Sequence, residues 1–205
     1  MKNLFSGSMG ACTALCLALA GSALSTPAWA LNVAGVRYTA HKPGGAGTLV
    51  LNGAGVRRLA NADLYAAALY LQEKLTTPGA VLADQGAKQL TVTMLRDVTG
   101  REMADLLSRG LVDNSSNDAL AGLMPEIMGL GTLIAERGKL RSGDSFQIDW
   151  SATTGTTITV RQQGGKVTSV EVFPKPDLIS AMMRIWLGER PADATLKSAL
   201  LGQRM

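Results

Sequence analysis

The spacing of apolar residues along this chain switches from about two to about 3.6, back to two, and again to 3.6. That order constrains the fold more than any single motif. From Leu31 to Arg96 the texture is strand-like. Thr48 to Leu59 alternates, with Leu49, Leu51, Gly53, Gly55 and Arg57 on one parity and Val50, Asn52, Ala54 and Val56 on the other. Leu64 to Gln72 is apolar on both parities and fits a helix or a buried strand; the flanking segments would supply partners, so a strand is predicted. Leu90 to Arg96 alternates again, and His41-Lys42-Pro43-Gly44-Gly45 reads as a loop.

The period then lengthens. Thr99 and Glu102 stand three apart as a capping box, and Met103, Leu106, Leu107 and Leu111 follow at helical spacing. Asn117 is the expected cap of a next helix, which Pro125 should kink or split. Strands return at Asp144–Trp150, Thr156–Gln162 and Val167–Phe173, the last two joined through Gly164-Gly165. Leu178, Ile179, Met182, Ile185 and Trp186 form a helical stripe closed by Gly188, and a last helix is expected from Pro191 to Gly202. Runs of strands with helices grouped between and after them predict an α+β fold, one large antiparallel sheet covered on one face by helices.

Composition narrows function. The first 30 residues carry one charge, Lys2, then an apolar run from Met9 to Leu24, then Ala28-Trp29-Ala30. This pattern predicts a cleaved secretory signal over residues 1–30, a single domain over 31–205, a periplasmic or secreted location and no stable membrane span. Both cysteines, Cys12 and Cys16, leave with that segment, so thiol catalysis, disulfides and thiolate metal sites are excluded from the mature chain. Its net charge falls from +4 to +3 with Lys2, with no basic cluster of the kind that binds nucleic acid. His41 is the only histidine, so a Ser-His-Asp triad or a zinc site lacks its usual residues. No metal, nucleotide or flavin cofactor is expected.

Several strings together resemble one family. They are Leu51-Asn52-Gly53-Ala54-Gly55-Val56-Arg57, Leu69-Tyr70-Leu71, Arg96-Asp97-Val98, the helix ending near Asn114, Leu140-Arg141-Ser142-Gly143-Asp144 and Ile185-Trp186-Leu187-Gly188. In order and spacing they resemble the bacterial, signal-peptide-bearing branch of the chalcone isomerase-like proteins, from about Leu31 to the C-terminus. The resemblance implies a cleft for a flat apolar ligand between sheet and helices. The family's enzyme is an intramolecular lyase in which an Arg polarises a ketone and stabilises the enolate, a sensible use of a permanent cation. Related members hold fatty acids with the same Arg on the carboxylate.

Carried over by residue, the resemblance makes Arg57 that arginine and Asn114 the family's asparagine. Tyr65 falls where the family has a Thr and retains a hydroxyl; Arg57 and Tyr65 are thus the candidate catalytic pair. Leu107 replaces a Tyr and Ile185 a Thr, with Trp186 beside it, so the plant catalytic set is incomplete. Arg57, Asn114, Ile185, Trp186 and Leu107 form the expected ligand-binding set. Each has a plainer reading: Arg57 as an ion pair at a sheet end, Asn114 as a helix terminator, Trp186 as core, and Gly53 and Gly55 as a bulge or as space for a ligand. Three functions follow. They are a binding protein for a fatty-acid-like or polyphenolic ligand headed by Arg57, a true intramolecular lyase, and a structural protein whose cleft has closed.

Overall fold

The computed structural model describes residues 30–45 and 47–203; the expected signal segment lies almost wholly outside them. The chain runs β1 (Ala30–Val33), β2 (Val36–Thr39), β3 (His41–Gly44), β4 (Gly47–Leu59), β5 (Ala62–Leu71), α1 (Pro78–Ala83), β6 (Lys88–Met94), β7 (Val98–Thr99) and α2 (Gly100–Asp113). It continues through α3 (Asn117–Gly122), α4 (Met124–Ala135), β8 (Lys139–Leu140), β9 (Ser145–Ser151), β10 (Gly155–Arg161), β11 (Val167–Phe173), α5 (Asp177–Leu187) and α6 (Ala194–Leu200). Seven strands form one antiparallel sheet in the order β11-β10-β9-β6-β5-β4-β3. This is the α+β architecture that the grouped periods predict.

β5 is a strand, and its neighbours explain why it is apolar on both parities. Tyr65, Ala67, Leu69 and Leu71 face the helices with Leu90, Val92, Phe146 and Ile148. Ala66, Ala68 and Tyr70 join a smaller cluster on the opposite face with Tyr38 and Leu49. The opposite face is therefore partly covered by the β1–β2 hairpin, not left wholly to solvent. Burying both faces removes the polar half of the usual alternation.

Four local expectations are corrected. The predicted loop at His41–Gly44 is an edge strand, β3, where Pro43 is tolerated because one side of an edge needs no donor. Ser116, not Asn117, caps α3, its hydroxyl accepting from the Ala119 N–H. The last helix starts at Ala194, not Pro191, because the Asp193 carboxylate caps it. The parity of β4 does not run unbroken: a bulge at Asn52 shifts the register between Leu51 and Gly53. Leu49 and Leu51 thus join the Tyr38 cluster, while Gly53 and Gly55 face α6. The capping box at Thr99 and Glu102 and the helix break before Pro125 are as expected.

Candidate functional site

A two-residue turn sets the site. Ala60 and Asn61 both have positive φ, the mirror-type turn that matches strand twist, and they fold β5 tightly back on β4. Arg57 and Tyr65 become directly paired residues on the helix-facing side. The amphipathic helix α5 brings Trp186 onto the same place, held by its apolar stripe of Leu178, Ile179, Met182 and Ile185.

The Tyr65 hydroxyl oxygen is the focus. Trp186 Nε1 donates to it at 2.8 Å, and Arg57 Nη1 donates at 3.4 Å. The guanidinium carbon lies 5.6 Å from the centre of the Tyr65 ring. Tyr65 is fully buried, Trp186 is 1% exposed and Arg57 only 6%. Burial pushes the Tyr65 hydroxyl above its ordinary range, with the neighbouring guanidinium pulling the other way. Tyr65 is accordingly a neutral donor at physiological pH, not a base.

Both of these bonds use lone pairs, so the hydroxyl proton has no acceptor among the described residues. Arg57 Nε is also buried without a partner, and Arg57 forms no ion pair among the described residues. The plain reading of Arg57 as half of an ion pair therefore finds no support there. A buried cation without an ion-pair partner is costly. Asp193, whose charge acts on Tyr65, accepts instead from the Arg58 and Leu196 amides, and the surplus Arg57 donors sit beside the surplus Tyr65 proton. This cluster offers N–H and O–H groups and no acceptor, which suits a carboxylate or carbonyl oxygen.

The glycines do not leave open space. A Cβ on Gly53 would come 2.0 Å from the Ala199 carbonyl oxygen and 2.7 Å from that of Leu200. One on Gly55 would come 2.6 Å from the Ala199 Cβ. They permit α6 to lie directly on β4, and the reading of them as ligand space is overturned. Asn52 locks that contact: its Nδ2 donates to the Leu200 carbonyl at 2.7 Å and the Leu75 carbonyl at 2.9 Å, while its Oδ1 accepts from Leu75 N–H at 2.8 Å. Nothing in the alternating sequence signalled the role of Asn52, and only small residues in α6 signalled that helix as the filler.

The remaining expected residues stand apart from this cluster in their contacts. Asn114 ends α2; its Nδ2 donates to the Gly110 and Arg190 carbonyls at 2.9 and 2.7 Å, and its Oδ1 accepts from Arg190 N–H. Its polar atoms thus brace the loop after α5, the plainer of the two readings. It borders a groove of about 570 Å³ with Lys175 and Arg184. Leu107 is buried in α2 and borders a groove of about 370 Å³ against α4, with Leu111 and Ile127. Ile185 is fully buried against Gly110, where a Cβ would come 2.7 Å from its Cγ2. Arg57 borders neither groove. Among the described residues no cluster of His, Cys, Asp and Glu is arranged to hold a metal, and no helix is long and apolar enough to cross a membrane.

No curated protein matches the sequence. Among solved structures, the crystal structure of a fatty-acid binding protein of Arabidopsis thaliana is similar, with a TM-score of 0.56 and 12% identity. The similarity covers 82% of this chain and 92% of that one, and establishes a shared fold. A family description, chalcone isomerase-like, matches residues 30–202. With the antiparallel sheet, its helical layer and the match over nearly all of the described residues, the chain belongs to the chalcone isomerase-like family.

Proposed function

We propose that this is a periplasmic binding protein for a small, mainly apolar ligand with a carboxylate or carbonyl head, and that Arg57 and Tyr65 hold the head. One observation carries the reading: a buried guanidinium and a buried hydroxyl have donors to spare and no ion-pair partner among the described residues, the oxygens of nearby Asp193 being taken up by the Arg58 and Leu196 amides. A carboxylate supplies the missing acceptors and the missing charge together, and charge-assisted bonds of this kind are about twice as strong as neutral ones. The shared fold with a fatty-acid binding protein supports a fatty acid as the first ligand class to test. Because α6 fills the space over Gly53 and Gly55, a long tail is admitted only if α6 withdraws from β4 or the tail turns toward α5. Leu107 and Ile185 bring no hydroxyl to the helical layer, which favours holding a ligand over cyclising one.

Isothermal titration of straight-chain fatty acids of medium and long chain tests this. Wild type should bind; Arg57→Lys, which keeps the charge but loses the planar fork, should bind more weakly, and Arg57→Ala more weakly still. Equal affinity of wild type and Arg57→Ala would end the assignment.

A further inference from the structure

The two edges of the main sheet are unlike. At one end β3 is four residues long and contains Pro43, which removes a donor and blunts the edge. At the other end β11 is seven residues long, Val167–Phe173, with no proline and no lysine or arginine. Its inner side pairs with β10, and among the described residues nothing pairs with its outer side. Val167, Val170 and Val172 are 45%, 55% and 54% exposed. A register shift at Thr168 turns Val167 to the same side as Val170 and Val172, so the three form one apolar row on the face away from the helices.

We propose that β11 is a self-pairing edge, and that a second copy of this chain adds to it antiparallel, about a two-fold axis at Val170. An unpaired edge is a template for another strand, and a two-fold contact must be complementary to itself. Centring on Val170 sets the two Val170 side chains opposite each other. It also sets Glu171 opposite Ser169 of the second copy. Glu171 and Ser169 pair with Ile158 and Val160, so both side chains lie on the helix-facing side. There Arg137, just beyond α4, donates to Thr168 Oγ1 at 2.6 Å and to Ser169 Oγ. Residues directly opposite across an antiparallel pair have Cβ atoms about 5 Å apart, which brings each Glu171 beside the other copy's Arg137. Neither Arg137 nor Glu171 has an ion-pair partner among the described residues. Shifting the axis by one residue destroys the match. Centring on Glu171 opposes two carboxylates, and centring on Ser169 opposes Glu171 to Val167.

A contact this narrow falls below the area of a permanent dimer, so the association should be concentration-dependent. Sedimentation equilibrium of the secreted protein, from low to high micromolar concentration, should show a monomer–dimer equilibrium. Val170→Lys sets two like charges on the axis and should weaken it by on the order of tenfold or more. Glu171→Arg should weaken it as well, and adding Arg137→Glu to Glu171→Arg should restore it. Circular dichroism melts establish that the variants are folded; Val170 and Glu171 are both exposed, so neither change disturbs the core. A protein monomeric throughout that range would overturn the proposal. So would a dimer indifferent to Val170→Lys, or one that the paired charge reversal fails to rescue.

Discussion

Tyr65→Phe is the substitution that isolates the buried cluster most cleanly. It removes one oxygen and leaves the ring, so no cavity opens and the packing against α5 is retained. The loss falls on the donors. Trp186 Nε1–H, in a residue 1% exposed, loses its 2.8 Å acceptor, and Arg57 Nη1 loses a longer one at 3.4 Å. A buried donor stripped of its acceptor costs about 1–3 kcal/mol, whereas a bond at 3.4 Å contributes little. Removing the oxygen also removes a hydroxyl proton that has no acceptor, which offsets part of the cost. The expected destabilisation is about 2 kcal/mol. In a domain of this length each kcal/mol moves the melting temperature by about 2–4 °C, so the variant should melt about 4–8 °C lower. Thermal melts at one pH and salt concentration measure this, and a double-mutant cycle with Trp186→Phe apportions it. In the Trp186→Phe background the effect of Tyr65→Phe should shrink to less than half, because the principal donor is already gone. A melting temperature within about 1 °C of wild type, or a cycle with no coupling, would show that the indole N–H does not depend on Tyr65 and refute the reasoning.

Four further outcomes follow. Gly53→Ala should destabilise by about 1–3 kcal/mol, because the new methyl meets the backbone of α6, which cannot step aside. Gly55→Ala meets only the Ala199 methyl and the Leu196 side chain and should be partly rescued by Ala199→Gly; chemical denaturation of the variants checks both. All three tyrosines resist ionisation, mainly through burial: Tyr38 is pushed up to about 12, and Tyr65 and Tyr70 are raised from 10.0. The unfolded chain therefore loses these protons first. Stability should be full below pH 10 and fall between pH 10 and 12, and ultraviolet titration should show no tyrosine transition at the ordinary position while the protein is folded. Finally, protein secreted by a bacterial host should begin at Leu31 by N-terminal sequencing; a chain starting at Met1 would sink the processing expectation.

What the sequence made legible was whatever depends on period and on local chemistry. The Thr99 capping box, the strand β5 and the stripe on α5 all follow from side chains close to one another in the chain. The contact between Arg57 and Tyr65 was half legible: both were candidates, but their pairing depends on Ala60 and Asn61 adopting positive φ, which neither residue strongly advertises. The bulge at Asn52 was not legible as a change of face, because an alternating pattern reads the same whether or not one residue slips. That slip decided what Gly53 and Gly55 do, and their partner lies in α6, about 140 residues along the chain. Asn114 shows the converse. An amide at a helix end is compatible with ligand and with brace alike, and only the position of Arg190 separates them.

The bond between Asn52 and the Leu200 carbonyl spans 148 residues. Until Leu200 has been synthesised, the bulged strand β4 lacks the helix that lies on it, and the Gly53–Gly55 surface stays uncovered. Closure across so long a loop is slow, and a partly made chain has little means of completing its native core. The helix α6 thus works as a clasp, fastened only after nearly all of the described chain has been made. It also marks the stretch directly after α6 as the wrong place for a rigid insertion, since a bulky group there would crowd the clasp before it closes.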